Sequence, residues 1–271
     1  AITQKAFGVA SVGLALLLGF LLVAAVGAAM PMPALAVGAV VPLDDWPTTP
    51  QIMATTGNLA GTFAVSAGTN RLLVVLVCGF DSAFNSGQTF TATYGGQTLG
   101  QAVLQNDRER QTWIGYLKES DITSRSSDTV AVTVTGTHTH VVAYNASYSG
   151  VDQTAPVTDA NGVYINNSNG QPIGGPLTVN AGGYGIYGWS GVFTRTSDTD
   201  AYTEHSDVNN PGTFNYGVAS KAFSTTDATN PTVTWSGNNY VSVSFVTLNP
   251  ADNPVPATTA VSPTAKTVGD A

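Results

Sequence analysis

The chain has 271 residues with 9 Lys or Arg against 17 Asp or Glu, a formal net charge of −8 that repels phosphate backbones and excludes nucleic acid as a partner class. Charged residues make up only 10% and Gly occupies 29 positions, a profile that fits a secreted, turn-rich β protein and not a cytosolic enzyme. The single cysteine, Cys78, excludes an intrachain disulfide and, inside LLVVLVCGF, reads as a small buried hydrophobe.

From Ala6 to Met30 the run AFGVASVGLALLLGFLLVAAVGAAM carries no charge, and the next charge after Lys5 is Asp44. As a helix, roughly 25 residues reach about 38 Å, enough to cross a hydrocarbon core. Being apolar all round, it must be buried on every side, by lipid or by copies of itself. Three readings follow: a cleavable secretory signal with Lys5 ahead of it and Ala34-Leu35-Ala36 as cleavage pattern, a membrane anchor, or a helix in the core of a filament. The filament reading is favoured, with Phe7, Gly8, Gly13, Leu17, Gly19, Phe20, Leu21 and Gly27 as the assembly helix, because dispersed glycines let helices approach closely. The opening residue Ala1 fits removal of an initiator Met or of a leader. This run resembles the N-terminal helix of type IV pilins and their archaeal relatives, and the resemblance implies membrane anchoring first and filament assembly later. Bacterial type IV pilins usually carry Glu at the fifth mature position, and Lys5 departs from it, which points to an archaeal-like or unrelated assembly.

Residues 31–60 read as a connector in which Pro31, Pro33, Pro42, Pro47 and Pro50 forbid a continuous helix. From residue 61 to residue 250 the pattern is that of strands. They are expected at Thr62–Ser66, Leu72–Phe80 (apolar throughout, hence buried on both faces), Thr89–Tyr94, Thr98–Leu104, Trp113–Leu117, Thr129–Val134 and Val141–Tyr148. After a looser stretch from Gly150 to Gly175 come Leu177–Asn180, Tyr184–Trp189, Gly217–Phe223, Thr232–Trp235 and Tyr240–Leu248. Gly95-Gly96 supplies a hairpin turn. With turn signals throughout and no helical stretch after residue 50, the expected fold is mainly β: one jelly-roll-type antiparallel β-sandwich preceded by one long hydrophobic α-helix. The segments NRLLVVLVCGFDS, TYGGQTL, AYNASYSGVDQTAPV and TVTWSGNNYVSVSFVTL resemble a concanavalin-like β-sandwich module of secreted bacterial proteins, a resemblance that implies fold and no catalytic residue. Residues 251–271 form a Pro/Thr-rich tail.

Candidate chemistry is sparse. Asn145 and Asn166 begin N-glycosylation sequons. His138 and His140 share a strand face at a spacing that can hold a metal, and Asp198, Asp200 and Asp227 could offer oxygens to calcium. Glu109, Glu119 and Glu204 could in principle pair for glycoside hydrolysis, and His205 beside Glu204 adds nothing, since a triad needs spatial evidence. For each of these a solvated or structural role is the stronger reading, so no metal, cofactor or catalytic residue is expected. Tyr184, Trp189, Tyr202 and Tyr216 could form a sugar-stacking face, although core positions are favoured. The sequence thus predicts a non-enzymatic, extracellular or cell-surface structural subunit of a pilus-like filament. Its partners would be copies of itself, a membrane before assembly, and surface glycans if the ring face is real. The alternatives are a membrane-anchored carbohydrate-binding or adhesive protein and a viral jelly-roll coat or spike.

Overall fold

Burial on both faces of a strand requires a layer on each side of its sheet, and that condition is met repeatedly here. The computed structural model describes residues 38–50, 52–54, 58–82, 88–107, 109–166, 171–173, 175–192, 194–210, 214–237 and 240–251. The expected helix at 1–30, its assembly residues and the tail beyond 251 lie outside them. The described body falls into two halves. The first contains β1 (Val41–Asp44), β2 (Ile52–Ala54), β3 (Leu59–Thr62), β4 (Leu72–Phe80), β5 (Thr89–Tyr94), β6 (Gln97–Thr98), β7 (Gly100–Asp107), β8 (Arg110–Lys118), the short helix α1 (Glu119–Ser124), β9 (Thr129–Thr135) and β10 (His140–Ser149). The second contains β11 (Val157–Ile165), β12 (Gln171–Pro172), β13 (Leu177–Val179), β14 (Tyr184–Gly191), β15 (Arg195–Asp198), β16 (Thr203–Asn210), β17 (Phe214–Ala222), β18 (Asp227–Thr229), β19 (Thr232–Trp235) and β20 (Val241–Leu248).

Each half is an antiparallel sandwich. The inner sheet of the first runs β1-β10-β4-β8-β7, with β2 also on β10, and its outer sheet runs β3-β9-β5-β6. The inner sheet of the second runs β11-β20-β14-β17-β16, and its outer layer consists of β12-β19-β15 and β13-β18. Side-chain alternation assigns the cores. In β4, Leu73, Val75 and Val77 face the first outer sheet with Trp113, Tyr94 and Val132, whereas Leu72, Val74, Leu76 and Cys78 face the second half. There they meet Ile186, Val218, Val246 and Leu248, while Trp189, Val243 and Phe245 turn to the second outer layer. The body is therefore four β layers deep, with three apolar cores.

The two halves repeat one another. In matching order, β1, β10, β4, β8 and β7 correspond to β11, β20, β14, β17 and β16, and β3-β9-β5 to β13, β18/β19 and β15. The irregularities recur as well. A β-bulge interrupts β7 between Gln101 and Val103, and another interrupts β16 between Glu204 and Ser206. The first strands bulge before Asp44 and before Asp159, and each Asp carboxylate accepts a backbone N–H from its outer layer, Ser66 and Thr178 respectively. The first strands of the two halves differ in one respect. Seven residues (45–51) separate Asp44 from Ile52, where three (160–162) separate Asp159 from Val163. The longer segment leaves β10 and crosses toward β16.

The inner sheets approach closely because small residues line the contact. A Cβ added at Gly188 would lie 2.3 Å from Leu76 Cδ2. Serine hydroxyls stitch the same interface: Ser190 Oγ donates to Gly79 O at 2.9 Å, Ser242 Oγ to Arg110 O at 2.7 Å and Ser244 Oγ to Thr112 O at 3.0 Å. At one end of the body the chain enters and leaves at the same place. Val40 N donates to Gly182 O, Ala251 N donates to Gly150 O, and Val151 bridges Pro250. Gly38, Gly150 and Gly182 have positive φ there, and a Cβ on Gly38 would meet Ala251 O at 2.7 Å.

Several expectations are corrected. The single two-sheet sandwich is a pair of sandwiches sharing a central core. The helix α1 follows β8, with Glu119 and Asp121 in its first turn and Ile122 buried, where no helix was expected. The loose stretch after Gly150 contains β11, and a polar sequence hid β16, since TEHSDVNN offers little apolar alternation. Most of the supposed connector, from residue 38 onward, belongs to the body, which begins at Gly38. Replacing Gly188 by Val forces Leu76 and the facing sheets apart. The expected loss is about 2–3 kcal/mol, read as a lower urea midpoint at unchanged m.

Candidate functional site

The sequence-derived site residues disperse in the structure. Tyr184, Trp189, Tyr202 and Tyr216 are 8%, 0%, 4% and 5% exposed, so these rings are core and form no sugar-stacking face: Trp189 packs on Trp235, and Tyr216 on Phe214. Asn145 is fully buried in β10, which bars an oligosaccharide from the folded body, whereas Asn166 is exposed. The ring of His140 lies beside both Phe80 and Phe214, with centroids 6.3 and 5.9 Å away, and among the described residues no group of three or more His, Cys, Asp or Glu is placed to hold a metal ion. Glu109 and Glu119 flank opposite ends of β8, and Glu204 lies on β16, so the three do not converge. Glu119 is bound by Arg71, whose hydrogen bonds hold the carboxyl below its ordinary value against the opposing effect of burial.

Two polar clusters do form. The first lies on the outer face of the second half, where Arg195 on β15 reaches Glu204 Oε2 at 2.6 Å, Asp198 Oδ2, and the Tyr187 hydroxyl at 2.6 Å. Burial alone would raise the Asp198 carboxyl; hydrogen bonds from Arg195, Tyr187 and the Tyr202 N–H outweigh it and hold the group below its ordinary value. Asp198 is thus saturated by protein donors, and Asp200 Oδ2 accepts from Thr229 Oγ1 at 2.8 Å, which leaves no calcium loop with Asp227. Asp207, on the same face, has a buried Oδ1 without a hydrogen-bond partner. Burial, with Glu204 nearby, pushes its carboxyl up to about 7 in spite of Arg195.

The second cluster joins three distant segments. His205 occupies the bulge of β16, where the matching bulge of β7 has Ala102. Its Nε2 lies 2.6 Å from Ser220 Oγ on β17 and its Nδ1 3.3 Å from Asp45 Oδ1 in the crossing segment. Burial pushes the imidazole below its ordinary 6.5, against the pull of Asp45. The Ser220 hydroxyl in turn donates to the Tyr184 hydroxyl at 3.3 Å. The connectivity is that of a Ser-His-Asp triad, but Ser220 is 1% exposed and paired on both sides by β14 and β16, so no acyl group can reach its oxygen. The arrangement is a pin. Beside it Trp46 is buried in the central core and donates Nε1–H to the Tyr148 hydroxyl at 2.7 Å, and Ser206 Oγ donates to Thr48 O at 2.9 Å. Sequence reasoning missed this site because Asp45 and Ser220 are 175 positions apart (220 − 45); the only local signal was Asp-Asp-Trp between prolines.

A third feature sits at the end of the body opposite the chain's entry. Arg110 is buried with its guanidinium 4.0 Å from the Phe80 ring centre, and burial pushes it down to about 10 despite Glu109 at 3.5 Å.

These features define a duplicated all-β body with structural pins and no assembled reaction centre among the described residues. No family model and no curated protein matches the chain. Among solved structures it is similar, with 11% identity and a TM-score of 0.26 over 78% of this chain and 91% of that chain, to one described as the atomic structure of Sulfolobus Turreted Icosahedral Virus. A TM-score at that level carries no argument about fold or function.

The Asp207 carboxyl gives a prediction. The folded body keeps a proton near pH 7 that the unfolded chain, at the ordinary 3.8, has released, so its contribution to stability falls as pH rises between those values. Asp207→Asn should raise the melting temperature at pH 7.5, and that gain over the parent chain should shrink to nothing by pH 4 in a series of thermal melts.

Proposed function

We propose that the chain is a structural subunit of an extracellular, pilus-like filament. Its apolar N-terminal segment packs with copies of itself, and its β body is displayed outward. The observation that supports this reading is the way the chain enters the body. Soon after the apolar run, Val40 bonds to Gly182, Val41–Asp44 pairs with β10, and Trp46 is buried between the inner sheets. A load applied through the N-terminal segment is thereby passed to both halves, as a subunit held by one end requires. The apolar run would seat the subunit in a membrane before assembly, which places the body at the cell surface. The burial of Tyr184, Trp189, Tyr202 and Tyr216 leaves the carbohydrate-binding alternative without a stacking platform. Among the described residues no helix is long and apolar enough to cross a membrane, so anchoring would fall to the run at 6–30.

Electron micrographs of the purified full chain test the proposal. Fibres are expected, and Gly13→Leu or Gly19→Leu should abolish them without lowering the thermal stability of the body. A chain shortened to begin at Gly38 should remain folded and monomeric in sedimentation. Closed shells in the micrographs would transfer the reading to a viral coat, and detergent-bound monomers to a surface anchor.

A further inference from the structure

The turn after β9 lies against the end of β4 and the start of β5, just beyond the last pair of the β5–β9 ladder, Thr89 with Thr135. There one carboxylate oxygen holds a hydroxyl and a carboxamide together. Asp81 Oδ2 accepts from Thr137 Oγ1 at 3.1 Å and from Gln88 Nε2 at 2.9 Å, and the same Nε2 donates to Thr137 O at 2.5 Å. Two acceptors fix which end of the carboxamide is nitrogen, so Oε1 points away from Asp81, buried and without a hydrogen-bond partner. We propose that Thr137 Oγ1 attacks Gln88 Cδ, expelling ammonia and joining the two side chains by an ester bond, with Asp81 as the acid–base group. The inference does not rest on the filament reading, because every group it uses lies within the body.

The step needs nothing from outside the chain. Asp81 Oδ2 takes the hydroxyl proton as the Oγ1–Cδ bond forms. It then gives a proton to Nε2, the Cδ–Nε2 bond breaks with its electron pair on nitrogen, and ammonia leaves. Nothing is oxidised or reduced, and the carboxylate ends as it began. Both reacting segments are held from behind. Asn106 Nδ2 donates to Gln88 O, Thr139 N donates to Phe80 O at 2.7 Å, and Ser82 N donates to Thr139 Oγ1 at 3.1 Å. Gly136, with a φ of +94°, lays the turn over Gln88, where an added Cβ would lie 3.1 Å from Gln88 Cγ. Such fixing supplies the proximity that a weak nucleophile and a poor electrophile require. Asp81 and Gln88 are each 2% exposed, which keeps water from competing, while Thr137 at the surface gives ammonia a way out. Among the described residues no donor meets Oε1, and the missing oxyanion stabilisation costs a reaction of this kind on the order of 10²–10³ in rate. One event per chain tolerates that loss. The centre acts once, on the chain itself, and serves no outside substrate.

The product is a staple closing the loop 88–137 in a chain whose single cysteine cannot supply one. Mass spectrometry of the full chain, kept folded for days after purification and then digested with trypsin, tests it. Residues 72–108 should appear joined to residues 126–195. The joined species should be lighter than the two peptides together by one ammonia, about 17 Da, and hydroxylamine should separate it, as it does an ester. Thr137→Ser, which keeps the nucleophile, should keep the link. Thr137→Val and Asp81→Asn should release the two peptides separately at full mass. Should either of these two fail to fold, the joined peptide in the parent is decisive by itself. Separate peptides at full mass from the folded parent overturn the proposal, and so does a link that persists in Thr137→Val.

Discussion

Everything in the body depends on two β-sheets meeting face to face. Leu76 fits over Gly188, serine hydroxyls cap carbonyls across the gap, and an apolar cluster running from Leu72 to Leu248 fills the rest. Each inner sheet needs its outer layer to bury the other face, and neither sandwich would be water-compatible alone, since its inner face is a continuous apolar surface. The four layers are therefore one cooperative object, although the chain builds them in two successive passes.

That geometry explains which parts of the fold were legible in the sequence. Leu72–Phe80 announced burial on both faces, and the Gly95-Gly96 hairpin, with φ of +53° and +88°, follows from the two glycines. The doubling was also written there, in the further runs VVAYNASY and VSVSFVTL that are apolar or small at every position. Two-sheet sandwiches bury one face of each strand, so several fully buried strands imply more than two layers. The repeat itself left little trace in residue identity, because strand order and bulge position are set by pairing and not by particular side chains. Edge strands such as Thr203–Asn210 stayed hidden for the opposite reason: half of their surface meets water or the charged cluster around Arg195.

The candidate sites were less legible. Aromatic residues clustered in sequence divide between two cores, Tyr184 and Tyr216 in the central one and Trp189 and Tyr202 in that of the second half, since alternate positions on a strand face different cores. The contacts between Asp45, His205 and Ser220 could not be read from the chain, because they depend on a bulge that re-aims one ring and on a crossing segment that departs from the repeat. The cost of burying His205 and Asp207 in a half without metal-binding geometry is a reminder that perturbed titration marks strain in structural joints as well as in reaction centres.

The meeting of entry and exit at Gly38 and Ala251 has a practical consequence for anyone handling the protein. Epitopes or fluorophores fused directly after Ala251 would crowd the point where the chain comes in and interfere with whatever holds it there. The turns at the far end, around His140 and Arg110, offer labels the full length of the strands as a spacer. The same proximity makes the body a natural insert: both of its ends can be spliced into a single surface loop of another protein without stretching either.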